Sequence, residues 1–357
     1  MKMTVYCCMV FMLATGTASA TVLYTVTDLG TLDGGNGHSR ARAINDGGQV
    51  VGWATAPDGY EHAFLYRWGL MTDLGTLGGP GSRAWDINNS GQVVGEAGMT
   101  SGYDGHAFLY SDGQMIEISA AFGSVANGIN EGGQVVGFAW AGHAFLYNPG
   151  GSMTDLGTFG GPYSRALKIN DGGLIVGYAY TDWGYYHACL WSGDTMIDLG
   201  TLGDDVYCEA ADINTSGQIV GTSGWWGHAF LYDSGVMTDL GTLGGSYSDA
   251  FAINDSGQIV GESYITGGAQ HAFLYSDGGI TDLNSLIDSA TGWQLMTAQD
   301  INNRGQIVGY GTIAGGEQHA FLLTPVPEPG TIALVVPAFL AFAGIAAARR
   351  RVATRRK

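Results

Sequence analysis

Tyr24-Thr25-Val26-Thr27-Asp28-Leu29-Gly30 is a β-type run with no partner near it in the chain. Its Asp-Leu ending recurs at Asp73, Asp155, Asp198, Asp239 and Asp282, each time as the last of four short runs in a repeated unit. At the other end, His319-Ala320-Phe321-Leu322-Leu323 is a third run with no fourth after it. The first copy of the fourth run lacks three predecessors, and the last third run lacks a successor. The two deficits complement each other, and on them turns the choice between a closed ring and an open array.

The unit is about 43 residues long and occurs seven times. A fixed period of this size signals a propeller or a stacked array. Each copy opens on an Ile-Asn pair, at Ile44, Ile87, Ile129, Ile169, Ile213, Ile253 and Ile301. Turn residues follow, such as Asp46-Gly47-Gly48, because Asn, Asp and Gly reach positive φ at little cost. Then come a β-branched run (Gln49-Val50-Val51-Gly52), a variable connection, a His-Ala-Phe-Leu-Tyr run, a glycine turn and the Asp-Leu run. Four short strands per unit are predicted, with no stretch in the repeats long enough for a helix. In His106-Ala107-Phe108-Leu109-Tyr110 both alternating faces are largely apolar, which suits blades packed face to face.

If residues 24–28 supply the missing strand of the last unit, the ring closes and no sheet edge is left open there. An open solenoid needs atypical capping copies at both ends. The first and last copies here are regular, apart from a longer connection between Leu286 and Gln294. The expected architecture is therefore an all-β, seven-bladed propeller closed by its N-terminal strand.

The expected domains are a signal peptide (1–20), the propeller (21–325) and a C-terminal segment (326–357). Lys2, the apolar run Val5–Leu13 and Ala18-Ser19-Ala20 have the order of a cleavable secretion signal, and the run is too short to span a bilayer. Cys7 and Cys8 lie within that apolar region, too early for a lipoprotein attachment site. Thr331–Ala348 is uncharged and long enough to cross a membrane as a helix. Arg349, Arg350, Arg351, Arg355, Arg356 and Lys357 follow it, which places the propeller outside the cytoplasm.

Pro327-Glu328-Pro329, then the apolar segment, then the arginine cluster, resembles the PEP-CTERM sorting signal over the last thirty-odd residues. The resemblance implies an exosortase-type processing enzyme as partner, in a Gram-negative bacterium that makes exopolysaccharide. It also implies inner-membrane anchoring until the tail is cut; a permanent single-span anchor is the other reading. The repeated His-Ala-Phe at His62, His106, His143, His228, His271 and His319, with His-Ala-Cys at His187, resembles the HAF repeat family of extracellular repeats. That family supplies an address, periplasmic, surface or extracellular, and no activity. The third copy departs from it, with Ile116-Glu117-Ile118 in place of Asp-Leu-Gly.

Residues 21–325 hold seven basic and thirty-one acidic side chains, a net of −24. Such a body repels nucleic acid and anionic membrane. Cys189 and Cys208 remain after signal removal. An exported chain permits a bridge between them, and Cys189 at a phenylalanine position equally fits a packed thiol.

No nucleophile elbow, phosphate loop or close-spaced metal motif is present, so no catalytic residue, cofactor or metal is assigned. A histidine repeated in every blade serves the blade: its ring is expected to bond a neighbouring Asp, hydroxyl or backbone group. His38 is the one histidine outside the pattern. The variable second-to-third connections all fall at one end of the ring, together with the fourth-to-first connections. They carry many aromatics, of which Trp183, Tyr185, Trp225 and Trp226 are the candidates for an exposed ligand-binding rim; packing within blades is the competing use for these rings. The functional expectation is a non-enzymatic, exported propeller that binds or scaffolds extracellular polysaccharide. A protein-interaction module of the envelope and a polysaccharide-active enzyme are the alternatives.

Overall fold

The computed structural model describes residues 24–326, apart from 36, 100–104, 120–122, 140–141 and 225–226. These residues form seven four-stranded antiparallel sheets, each built from strands in chain order except the last. The last sheet runs Tyr24–Asp28, Gln318–Pro325, Ile307–Thr312, Gln294–Ile301. Tyr24 pairs with Pro325 and Asp28 with Phe321, so the orphan run completes the seventh blade. The fold is a seven-bladed propeller closed by strands from both ends.

Each Ile-Asn turn is built alike. In blade 1 (Ser39–Ile44, Val50–Thr55, Glu61–Arg67, Leu70–Asp73) the Gly48 amide donates to the Asn45 carbonyl, 2.9 Å. Gly48 then takes φ +77°, a value its Cβ-less backbone reaches freely. The Asn45 side chain accepts from the Gln49 amide and donates to the Gln49 side chain, 2.9 and 2.8 Å.

The same asparagine also reaches the next blade. Nδ2 of Asn45 donates to the carbonyl of Asn88, Asn88 to Asn130, Asn130 to Asn170, Asn170 to Asn214, Asn214 to Asn254, and Asn254 to Asn302. Asn302 returns to Asn45 at 3.0 Å. The repeated Ile-Asn is thus a closed hydrogen-bonded ring around one mouth of the central channel.

Seven apolar clusters fill the blade interfaces, one per pair of neighbours. Ala63 and Leu65 of blade 1 face blade 2, whereas Phe64 faces blade 7. Strands buried on both sides explain the apolar character of both faces. Polar stitches add to them: Ser82 of blade 2 accepts from the Ala63 amide (2.9 Å) and donates to the Gly75 carbonyl (2.6 Å). Ser39, Ser164 and Ser248 repeat both bonds at other interfaces.

Cys208 occupies this serine position in blade 5, and its thiol takes the Ala188 amide. Cys189 occupies the phenylalanine position in blade 4 and packs in the interface between blades 3 and 4. Both are buried free thiols, so the packed reading holds and the bridge does not form.

The long connection after blade 6 contains two 3-10 turns, Leu283–Ser285 and Ser289–Thr291. It buries Leu286 and Ile287, and its Leu286 carbonyl accepts from the Tyr24 amide at 2.9 Å, locking the closing strand. Among the described residues no helix is long and apolar enough to cross a membrane. The expected signal peptide, the Pro-Glu-Pro motif at 327–329 and the expected span at 331–348 lie outside the described residues.

Candidate binding funnel

The innermost strand of every blade lines the axis. Counting back from the Ile of Ile-Asn, the third residue is always Ala and fully buried or nearly so: Ala41, Ala84, Ala126, Ala166, Ala210, Ala250 and Ala298. The second residue back differs in every blade: Arg42, Trp85, Asn127, Leu167, Ala211, Phe251 and Gln299. All seven ring one central chamber of about 410 Å³. The fourth residue back, and the residue after Val-Val-Gly or Ile-Val-Gly on the second strand, also turn toward the channel and also vary. The repeat holds the blades constant and varies what faces the axis.

At the asparagine mouth the channel is plugged. Asp86 accepts from the amides of Ile87 and Ile129, Asp212 from Ile213 and Ile253, and Asp300 from Ile301 and Ile44, all at 2.8–2.9 Å. Each carboxylate therefore ties its own blade to the next. Lys168 reaches across from blade 4 to Asp86, 2.8 Å. Burial alone pulls an ammonium pKa down, but Asp86, Asp212 and Asp300 together hold that of Lys168 above the usual value. Burial pushes Asp300 up to about 7 despite Lys168. The place of a cation among these three acids is taken by Lys168.

The opposite mouth is a funnel of unequal sides. Three of the seven basic residues of the repeat region, Arg42, Arg83 and Arg165, line its cavities, and Arg40 adjoins them, stacked on Tyr310 at 4.6 Å. Arg42 lies over Trp85 (4.6 Å) and hydrogen-bonds Gln299; burial brings its guanidinium pKa down to about 10. Arg165 stacks on Phe138 at 4.1 Å and lies 5.9 Å from the Tyr178 ring. Arg83 pairs with Glu61.

Facing these from blades 5 and 6 are Glu209, Asp249 and Glu262. Burial pushes the Glu209 carboxyl up to about 7, with Arg165 and Arg42 opposing from across the chamber. Asp249 is raised by burial and then by Glu209 and Glu262, and Glu262 is raised by burial. The blades enclose these groups, yet they keep partial contact with solvent in the channel.

Tyrosines connect the funnel to the rim. Tyr163 meets Tyr180 (5.6 Å between ring centres), Tyr180 meets Tyr186 (5.5 Å), Tyr186 meets Tyr207 (5.0 Å) and Tyr207 meets Tyr185 (5.7 Å). Tyr178 closes onto Tyr186 at 4.9 Å. Tilted and edge-on pairs of this kind are the stable arrangements of aromatic rings.

The residues expected to bind ligand are placed unequally. Trp183 sits on the turn between second and third strands of blade 4, 86% exposed, and Tyr185 beside it is 42% exposed. Trp225 and Trp226 lie outside the described residues. Trp53, Tyr178, Tyr180, Tyr186 and Tyr264, close to the second-to-third connections in the chain, belong to strands. The strands run past the repeated glycine, so the blade 4 connection is only residues 182–185, and Tyr178, Tyr180 and Tyr186 lie on the strands that flank it.

Every histidine is held. In each blade Nδ1 of the His-Ala-Phe histidine meets a carboxylate on the outer strand: His62 with Asp73, His143 with Asp155, His187 with Asp198, His228 with Asp239 and His271 with Asp282. His319 meets Asp28 across the closing seam, 3.0 Å. His106 meets Glu117, the residue that replaces Asp in the third copy, 2.6 Å. In most blades the Asp also accepts the amide two residues on, as Gly75 donates to Asp73 at 2.7 Å. His38 lies between Glu61 (2.8 Å) and Thr55 (3.1 Å).

No protein-family model matches this sequence, and no curated protein matches it. Solved structures share the fold. A puromycin-hydrolysing peptidase of Mycobacterium tuberculosis superposes with a TM-score of 0.51 at 12% identity, covering 77% of this chain and 49% of that one. Pyrococcus horikoshii acylaminoacyl peptidase gives 0.52 at 9% identity, covering 83% and 53%. This chain spans about half the length of those proteins. At such identity the likeness defines the class, a β-propeller, and nothing finer.

Proposed function

We propose that this protein is an exported, non-enzymatic propeller that binds extracellular polysaccharide in the funnel opposite its asparagine ring. The observation that carries the reading is convergence. A body of net charge −24 directs most of its few basic side chains, a run of tyrosines and three acids to one mouth, through the positions that vary between repeats. Aromatic faces beside charged and hydrogen-bonding groups suit pyranose rings, which present both apolar faces and hydroxyl edges. The commitment of all eight histidines to partners within the blades and rim supports binding over acid–base chemistry.

The test is binding of the purified chain to a panel of soluble polysaccharides, with Arg165→Ala and Tyr178→Ala as funnel variants. Expected is retention of a polysaccharide by the wild-type chain and loss of at least about tenfold in affinity in both variants, since each removes a group facing the funnel. Binding unchanged in both variants refutes the funnel; capture of an envelope protein alone favours the interaction-module reading. Export and sorting follow from the end segments, and mass spectrometry of the protein from its own cells, missing residues 1–20 and the segment after Pro329, is the expected result.

A further inference from the structure

Between blades 5 and 6 the funnel narrows to a side pocket of about 300 Å³. Its walls are the rings of Tyr186, Tyr207 and Tyr247, and Glu209 and Asp249 project from the inner strands beneath them. Asp249 accepts from the Tyr247 hydroxyl at 3.2 Å and from Thr222. Glu209 makes no hydrogen bond or ion pair among the described residues. Its carboxylate is largely screened by the blades yet opens to the channel, so it can take a ligand group without giving up a bond within the protein.

The chemistry of the pocket selects that partner. Two carboxylates without an adjacent cation call for positive charge. A hard divalent ion needs six or more oxygen ligands and gains little from tyrosine faces. An organic ammonium gains from both, through charge-assisted hydrogen bonds to the carboxylates and cation–π contact with the rings. The tyrosine run from Tyr163 through Tyr180 to Tyr186 leads flat aromatic faces to the pocket, and these match sugar rings better than an extended lysine side chain.

We infer that this pocket holds the free ammonium of an unacetylated amino sugar, set between Glu209 and Asp249 under the three tyrosines. The inference rests on the saccharide reading of the funnel and names its ligand class. It requires no bond to be made or broken.

Calorimetric titration of the purified chain at pH 7 tests it, with a tetramer of unacetylated glucosamine, its fully N-acetylated counterpart, cellotetraose, an oligouronate and tetralysine. The free-amine tetramer is expected to bind at least about tenfold more tightly than the N-acetylated one, and Glu209→Gln is expected to bring the two to parity. The wild-type ratio needs no variant, so the test stands even if Glu209→Gln folds poorly. Equal binding of the acetylated or neutral tetramer, or preference for the uronate, overturns the ammonium site and leaves the saccharide reading intact. Tetralysine binding as tightly as the amino sugar overturns the saccharide source. Binding of no saccharide overturns both.

Discussion

Tyr24→Ala tests the closure of the ring at its most sensitive point. Tyr24 is only 5% exposed and packs with Leu286, Leu295 and Leu323 in the interface between blades 6 and 7. An aromatic side chain of this size buries 150 Å² or more, which at about 25 cal/mol per Å² gives roughly 4 kcal/mol, and comparable truncations of buried aromatics cost about 3–5 kcal/mol. Thr25 is exposed, with a single side-chain bond of 3.3 Å to the Thr324 carbonyl, so Thr25→Ala serves as the control and should cost under about 0.5 kcal/mol. Urea unfolding followed by circular dichroism gives both values. Trp293, edge-on to Phe321 at 6.0 Å and packed on the same cluster, supplies a local fluorescence signal. A loss of under about 1 kcal/mol for Tyr24→Ala would mean that the first strand contributes nothing to the last blade, and the closed ring would be wrong.

Three more perturbations probe the ring and the funnel. Asn302→Ala removes the bonds from Asn302 to Asn45 and Gln306 and strands the Gln306 amide; a cost of about 3 kcal/mol is expected, matched within about 1 kcal/mol by Asn130→Ala, and a seam variant much milder than the mid-ring one would contradict a continuous circle. Burial raises the folded-state pKa of Glu209 to about 7 from an ordinary 4.5, so the folded state holds this proton more tightly and loses stability as pH rises through that interval. Glu209→Gln should therefore melt higher than wild type at pH 8, by up to about 3 kcal/mol at 1.36 kcal/mol per pH unit, with no gain at pH 4; a variant less stable at pH 8 would show the carboxylate to be satisfied. Burial pushes the Cys189 thiol up and the Cys208 thiol up to about 12, so iodoacetamide should label neither in the native protein and both after denaturation without reductant. Protection that persists in denaturant would reveal a bridge.

The architecture could be read from the chain because repetition samples the same local problem seven times. Turn glycines, two-faced apolar strands and a misplaced Asp-Leu run each have a direct physical meaning, and the structure answers them with Gly48, the interface clusters and the Tyr24–Asp28 clasp. The candidate site was less legible. Attention to variable loops pointed to Trp183 and Tyr185 on an exposed turn and passed over Arg42, Arg165, Glu209 and Asp249, which sit inside regular strands. Their signal was present as the positions that refuse to repeat two and four residues before each Ile-Asn turn. Seeing it needs the knowledge that the first strand of each unit is innermost, and that is a property of the assembled ring. Cys208 was similarly opaque, since its role as a stand-in for serine depends on the Ala188 amide of the neighbouring blade.

The clasp at the seam has a kinetic cost that the finished molecule hides. Thr25 and Thr324 lie 299 residues apart, so sealing the circle carries a loop-closure penalty of about 5 kcal/mol that no earlier blade shares. Until that step, Gln318–Pro325 presents a raw strand edge whose complement, Tyr24–Asp28, hangs at the far end of the same polymer. In a concentrated population the complement of a neighbouring molecule can fill the gap first, giving strand-exchanged dimers and chains. Slow, dilute refolding should favour monomeric rings, and rapid concentrated refolding should favour exchanged oligomers.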